Sequence, residues 1–468
     1  MDPIARHAQA RPEAPALFSP DRRWTYADLH RTVGQWAARL GAEGVAPGDR
    51  IALHLERSPR LVGLLWALWR IGAGAVPLST REPPETVVTQ ATQVDAACLL
   101  TTDATVIEWA PDRLPTMRPS ALATSGGSPL TPAAHGLDRP ATILYTSGST
   151  GAPKAALHTW ANHLYSARGS NANIPLREGD QWLLTLPLYH VGGLAILVRC
   201  ALAGAAVRLA GAEGAAAVLG ADGVTHASMV PTQFRRVLRA ADGPPPAPLR
   251  AVLLGGGPIP DALLREGTAH GWPLHTSYGC TEMASQVTTT PPGAPLNTLR
   301  TAGRRLPHRR VRIGDDGQIL VAGPTLFAGY VTAEGLHDPR HDGWYPTGDR
   351  GRIDAQGRLH VEGRMDQMFV SGGENIQPAE IETALERIEG VEQAVVVSVP
   401  DPEFGDRPVA FVHADAGHSP DTLRAALTDL LPGFKIPDAF HSLADADLGD
   451  GLKIDRARLR EQARKLQE

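Results

Sequence analysis

Cysteine is rare in this chain of 468 residues: Cys98, Cys200 and Cys280 lie far apart, with no Cys-x-x-Cys and no Cys/His cluster. That excludes a disulfide framework and a cysteine zinc site, and it fits a reducing cytoplasm. Charge of one sign is equally scarce, the net being −5. Bulk attraction to nucleic acid or to an acidic membrane is therefore not expected. Long apolar runs are missing too. Residues 61–78 are broken by Arg70, Gly72, Gly74 and Pro77, and residues 194–210 carry Arg199 and Arg208. Neither supplies the roughly 20 uninterrupted apolar residues of a membrane span. The start, Met1-Asp2-Pro3-Ile4-Ala5-Arg6-His7, has no basic segment leading into an apolar one, so no signal peptide is expected. Lysine is the scarcest charge: only Lys154, Lys435, Lys453 and Lys465 stand among 45 basic residues. Where any cation would serve, the chain uses arginine, so a retained lysine hints at a need for a compact, flexible ammonium.

What is present can bury a core. Apolar residues make up 43% and charged residues 20%, and the length suits two to four domains or subdomains. In the first half, helix and strand signals alternate. Thr25-Tyr26-Ala27-Asp28 forms a capping box, residues 50–55 read as a strand, and Ser58-Pro59 starts an apolar helix that stops before Gly72. Residues 75–78, 224–230 and 249–254 read as further strands, with helices after Pro231 and Pro260. This rhythm predicts an α/β fold of mostly parallel sheets covered by helices. Stretches 110–140, 242–248 and 291–295 read as surface connections. From Val311, short strands with Asp316-Gly317, Asp342-Gly343 and Gln356-Gly357 turns predict a small β-subdomain. Beyond it, a helix over 378–388, strands over 391–399 and 408–412 and a helix over 420–430 predict a separate α+β domain. The expected division is a large N-terminal domain, 1–363, with subdomains 1–140, 141–300 and 301–363, and a small mobile C-terminal domain, 364–468.

One stretch stands out chemically. Ile143-Leu144-Tyr145-Thr146-Ser147-Gly148-Ser149-Thr150-Gly151-Ala152-Pro153-Lys154 runs from an apolar strand into glycines and hydroxyls and ends in a lysine. Small residues let backbone N–H groups approach phosphate oxygens, and the lysine adds charge. It is not a Walker motif, because Pro153 precedes the lysine and Ala155 follows it. Nor is it a nucleophile elbow, because Ser147 takes the place of a glycine. Leu253-Leu254-Gly255-Gly256-Gly257-Pro258 can bring backbone against a flat base. Thr276-Ser277-Tyr278-Gly279-Cys280-Thr281-Glu282 offers a ring, a hydroxyl and a carboxylate suited to Mg²⁺. Tyr345-Pro346-Thr347-Gly348-Asp349 ends in an acceptor for ribose hydroxyls, and the run from Gly363-Arg364 to Ser371-Gly372-Gly373 lies where a hinge would sit.

Taken together, and in this order from about Thr25 to Leu459, these motifs resemble the adenylate-forming family of acyl- and aryl-CoA synthetases, adenylation domains and luciferases. The resemblance implies ATP, Mg²⁺ and coenzyme A as small-molecule partners and an acyl-adenylate as intermediate. It implies that Lys453, Thr281 and Mg²⁺ on Glu282 serve the α-phosphate, and that Thr146, Ser147, Gly148, Ser149, Thr150, Gly151 and Lys154 hold the phosphates beyond it. Gly256, Gly257, Tyr278 and Gly279 would take the adenine, and Asp349 and Arg364 the ribose. The C-terminal domain would turn about Asp366 and bring Ser371, Gly372 and Gly373 to the coenzyme A path. Leu452, not glycine, precedes Lys453, so Lys435 and Lys465 compete for the catalytic lysine; only Lys453 carries the following Ile-x-Arg.

Leu186-Pro187-Leu188-Tyr189-His190-Val191-Gly192-Gly193-Leu194, Arg199 nine residues after His190, and Ser285-Gln286 further resemble the o-succinylbenzoate–CoA ligase branch of menaquinone synthesis. That makes His190, Arg199 and Ser277 candidates for the acid pocket. A different small acyl- or aryl-CoA ligase, or a stand-alone adenylation enzyme loading a carrier protein, is the alternative. Sequence leaves a homo-oligomer open.

Overall fold

The computed structural model describes residues 2–467 except 113, 123–129, 131–135, 147–152, 212–213, 221–222, 242, 416 and 445–454. Local signals act as expected in the first half. Thr25 and Asp28 form a reciprocal capping box for the helix Tyr26–Ala42. Ser58 caps the helix Pro59–Ile71, with Pro59 in its first turn, and Gly72 closes it at φ 93°. That helix is buried nearly all round, so it packs between layers and does not lie on a surface.

Two large mixed sheets carry the N-terminal part. In the nine-stranded one, Pro15–Ser19, Ala206–Leu209, Gln181–Leu184, His226–Met229, Ala251–Leu254 and Leu274–Cys280 run parallel, and antiparallel strands close both edges. The eight-stranded one holds Gly74–Pro77, Arg50–His54, Cys98–Thr101 and Pro140–Thr146 in parallel, then Lys154–Thr159, Gly329–Thr332 and Gly335–His337 antiparallel. A four-stranded antiparallel sheet follows from Arg310–Ile313, Gln318–Ala322, Tyr345–Ile353 and Leu359–Arg364.

Three features depart from the sequence reading. The stretch 110–140 is not all connection, because Thr116–Met117 adds a parallel strand beside Cys98–Thr101. The strands Gly329–Thr332 and Gly335–His337 leave the small β-sheet for the edge of the eight-stranded one. Pro15–Ser19 and Arg22–Thr25, near the start of the chain, join the nine-stranded sheet.

The C-terminal sheet has five strands, with Gly405–Ala414 at its centre, paired with the antiparallel Val391–Asp401 and the parallel Ala439–Ser442. The helices Pro378–Leu385 and Pro420–Thr428 supply Ile381, Leu385, Leu423 and Leu427 to its core. Polar contacts join this part to the larger one. The Arg239 guanidinium sits 2.7 Å from both oxygens of Glu392, and Arg235 donates to the Glu392 carbonyl at 2.7 Å. No helix among the described residues is long and apolar enough to cross a membrane.

Candidate active site

Parallel strands open their carboxyl ends to one side of a sheet, where loops gather functional groups. In the nine-stranded sheet that side holds His190 after Gln181–Leu184, Gly255–Gly257 after Ala251–Leu254, and Thr281–Glu282 after Leu274–Cys280. The glycines have local reasons. Gly256 turns at φ 88°, and a Cβ on Gly279 would run into the Ser285 carbonyl on the neighbouring strand.

Two hydrogen-bonded groups meet here. In the first, the buried Glu282 carboxylate accepts from the Tyr330 hydroxyl at 2.6 Å, and the Tyr345 hydroxyl lies 2.8 Å from that of Tyr330. Lys154 Nζ stands 5.5 Å from the centre of the Tyr330 ring, a cation–π distance. Burial and the Glu282 charge push the Tyr330 and Tyr345 hydroxyls far above their ordinary range, so both remain donors. His158, kept neutral by burial, donates from Nε2 to the Thr281 carbonyl at 2.7 Å. In the second group the Tyr278 hydroxyl donates to Asp349 Oδ2 at 2.6 Å. Arg364 reaches Asp349 Oδ1 at 3.2 Å and grips Asp366 with Nε and Nη2 at 3.1 and 3.0 Å. Its two acids hold it firmly charged.

Residues far apart in sequence are thus assembled: Lys154, Tyr278, Thr281, Glu282, Asp349, Arg364 and Asp366. Tyr330 was not anticipated. Its strand pairs with Lys154–Thr159 across a gap of more than 170 residues, and only the aromatic placement in Phe327-Ala328-Gly329-Tyr330 hinted at it. Ser147, Gly148, Ser149, Thr150, Gly151 and Lys453 lie outside the described residues. The competing lysines have other engagements: Lys435 Nζ is 2.7 and 2.6 Å from the Glu380 oxygens, and Lys465 pairs with Glu461 on the last helix.

Among the described residues no three acidic, histidine or cysteine side chains group as a metal site. Glu282 alone suits Mg²⁺, which takes one or two carboxylates and completes its shell with phosphate and water.

The acid-pocket candidates differ in character. His190 is exposed at the start of the helix Val191–Ala203, its ring 4.7 Å from that of Tyr189. Gly193 lets that helix begin, because a Cβ there would strike the Pro187 carbonyl. Ser277 Oγ donates to the Leu254 carbonyl at 3.0 Å. Arg199, on the same helix as His190, is 1% exposed. Its Nη2 donates to Ser285 Oγ at 3.2 Å, its guanidinium lies 5.4 Å from the Trp182 ring, and its Nε has no hydrogen-bond partner among the described residues. No carboxylate pairs with it among the described residues. Burial lowers its pKa to about 10.

The coenzyme A candidates occupy a hairpin of the C-terminal sheet, Phe369–Ser371 with Glu374–Ile376. Gly372 and Gly373 turn it at φ 56° and 85°, as a two-residue type I′ connection requires. Ser371 accepts from Arg407 at 3.2 Å, and Gly372 N–H donates to the Phe404 carbonyl at 2.9 Å.

Comparison with known proteins agrees with this geometry. The family model described as AMP-binding enzyme matches residues 4–331, and that of the AMP-binding enzyme C-terminal domain matches residues 380–448. The 2-succinylbenzoate–CoA ligase of Listeria monocytogenes is 33% identical over 98% of both chains. The o-succinylbenzoate CoA synthetase of Bacillus subtilis, solved with the acyl-adenylate intermediate OSB-AMP, superposes with a TM-score of 0.88 at 30% identity over 98% of both chains. The same enzyme with ATP and magnesium ion gives a TM-score of 0.84 at 31% identity, covering 94% of this chain and 95% of the other. With the motifs, the sheet architecture and both domain models in agreement, the chain belongs to the AMP-binding, adenylate-forming enzyme family.

Proposed function

We propose that this protein is an ATP-dependent carboxylic acid–CoA ligase acting on o-succinylbenzoate in menaquinone synthesis, in the cytoplasm. The observation that carries the substrate is Arg199. A fully buried guanidinium with no acid beside it among the described residues is costly, and leaving one buried charge of a pair without its partner typically costs several kcal/mol. A substrate with a second, ionised carboxylate supplies that partner, and an arginine fork fits a carboxylate with two parallel bonds. The Arg199 side chain also donates to Ser285, three residues after Glu282 in the chain.

In the first step the succinyl carboxylate oxygen bonds to the α-phosphorus of ATP as the bond to pyrophosphate breaks. In the second, the thiol sulfur of coenzyme A attacks the acyl carbon, AMP leaves, and the thiol proton is lost to solvent or base. Bond making and breaking occur at the α-phosphorus itself in the first step, where its oxygens are most crowded and charge-rich, so donors aimed there dominate that step. Lys453 and Thr281 take that role; Mg²⁺ on Glu282 supplies further charge when bound. Tyr330 fixes the Glu282 carboxylate by donating to Oε1, and that carboxylate would hold the ion. Lys154 and residues 146–151 hold the outer phosphates. Tyr278, Gly256, Gly257 and Gly279 frame the adenine, and Asp349 and Arg364 the ribose. His190 gates the acid pocket, which Ser277 helps to line. For the second step the C-terminal domain, residues 364–468, turns about Asp366 relative to residues 1–363 and presents Ser371, Gly372 and Gly373 to the pantetheine.

The test is pyrophosphate release over a panel of carboxylic acids with and without coenzyme A. The expected result is highest kcat/KM for o-succinylbenzoate and AMP release that needs coenzyme A but no carrier protein. Preference for a monoacid, or dependence on a carrier, would overturn the assignment.

A further inference from the structure

A second arginine, Arg309, is as deeply buried as Arg199, at 1% exposure. Its Nε donates to the Gln286 carbonyl at 2.6 Å, Nη1 to the Pro307 carbonyl at 2.8 Å, and Nη2 to the Ser166 carbonyl and Oγ at 3.0 and 3.1 Å. Among the described residues no carboxylate pairs with it. Gly169 makes room for it, because a Cβ there would fall on Nη1 and on the Pro307 carbonyl. A buried charge satisfied by neutral oxygens alone is an expensive way to fill space.

Two of these oxygens, the Gln286 carbonyl and Ser166 Oγ, lead to one turn. Ser166 Oγ passes the contact on, donating to the Ala284 carbonyl at 2.6 Å. Arg309 therefore grips both flanks of one turn, Gln286 directly and Ala284 through Ser166. Between them Ala284 and Ser285 adopt φ of 52° and 108°, two successive non-glycine residues in left-handed backbone. Such backbone persists where its surroundings over-determine it. Ser285, at the centre of the turn, carries the hydroxyl that receives Arg199 Nη2.

We propose that Arg309 is a positioning residue for substrate recognition: it locks the 284–286 turn and, through Ser285, aims the Arg199 fork at the second carboxylate of the substrate. This rests on the reading of Arg199 given above. The strain at Ala284 and Ser285 is the cost of placing a hydroxyl against a buried guanidinium, and Arg309 is what holds it there.

The experiment compares Arg309→Met and Ser166→Ala, alone and combined with Arg199→Gln, on o-succinylbenzoate and on 4-oxo-4-phenylbutanoate, which lacks the ring carboxylate. Arg309→Met should lower kcat/KM for the diacid by about 10–100-fold, mainly through KM, and change the monoacid by less than about threefold. Ser166→Ala, a smaller change that spares the core, should act in the same direction by about 3–10-fold. In the Arg199→Gln background either variant should add less than about threefold, because coupled residues are not additive. The Ser166→Ala arm decides the matter if Arg309→Met does not fold. Equal losses on both acids, or additivity with Arg199→Gln, would overturn the proposal. If Arg199→Gln itself fails to discriminate between the acids, the reading of Arg199 falls; if it discriminates and these variants do not, only the role of Arg309 falls.

Discussion

Replacing Arg199 should improve the folded protein while damaging its chemistry, and the two effects can be sized separately. Burial lowers the pKa of Arg199 from 12.5 to about 10. At about 1.4 kcal/mol for each tenfold change in protonation, that is about 3 kcal/mol of unfavourable burial carried by the ligand-free protein. Arg199→Gln removes that burden. It also forfeits the Ser285 hydrogen bond and the Trp182 contact, together worth about 1–2 kcal/mol, and it leaves a small void. The balance is a gain of about 1–2 kcal/mol, or several degrees in the Tm of the larger domain at about 2–4 °C per kcal/mol. With o-succinylbenzoate the sign reverses. The second carboxylate then enters a buried pocket without a partner, at a cost of about 2–5 kcal/mol in kcat/KM. Differential scanning fluorimetry without ligand, beside steady-state kinetics on the diacid and on 4-oxo-4-phenylbutanoate, reads both. A lower Tm together with equal kinetic losses on the two acids would refute the reasoning, for Arg199 would then be a structural cation.

Lys453→Ala should slow adenylate formation by ~10²–10³-fold and largely spare thioester formation from supplied acyl-adenylate, whereas Lys435→Ala, whose ammonium is held by Glu380, should stay within about threefold; equal loss in both half-reactions would remove Lys453 from the first. Gly372→Leu should preserve ATP–pyrophosphate exchange and reduce thioester production, but its φ of 56° costs leucine about 1–2 kcal/mol by itself. Gly372→Asn, which tolerates that backbone, separates the causes, and normal thioester production by the Asn variant would assign the glycine to the hairpin alone. Burial holds His226 at about 4, below the 6.5 it has in an unfolded chain. Stability from this group is complete above about pH 6.5 and is lost as the pH falls from there toward 4, where the unfolded chain takes a proton that the folded one refuses. His226→Gln should flatten the Tm profile in that window, and an unchanged slope would exclude the effect.

Much of the N-terminal fold was legible because its signals are local. The Thr25 capping box and the Ser58-Pro59 start need only four residues each, and the structure uses both. The strand Gly329–Thr332 falls in the expected small β-subdomain but joins the eight-stranded sheet, because its partner strand Lys154–Thr159, about 170 residues upstream, leaves no trace in local pattern. The same holds at the site. Glu282, Asp349 and Arg364 were recognisable from their motifs, whereas the Tyr330 hydroxyl on Glu282 follows from tertiary pairing alone. Arg199 was visible as a charge inside an apolar run. That no acid among the described residues pairs with it, and that Arg309 braces the turn it touches, could be learned only from packing.

The Arg364 fork has a consequence for how the two half-reactions take turns. One guanidinium serves Asp349, beside Tyr278, and Asp366, in the short turn between the two parts of the chain. In the proposed nucleotide complex, a ribose that draws on the Asp349 oxygens would weaken that arm and alter the hold on Asp366. Linkage makes the exchange reciprocal: whatever the nucleotide does to the orientation of the C-terminal part, that orientation does in equal measure to nucleotide affinity. On the proposed reading, loss of pyrophosphate and departure of AMP become two settings of a single electrostatic balance at Arg364, and the proposed turn about Asp366 takes its timing from within the nucleotide site.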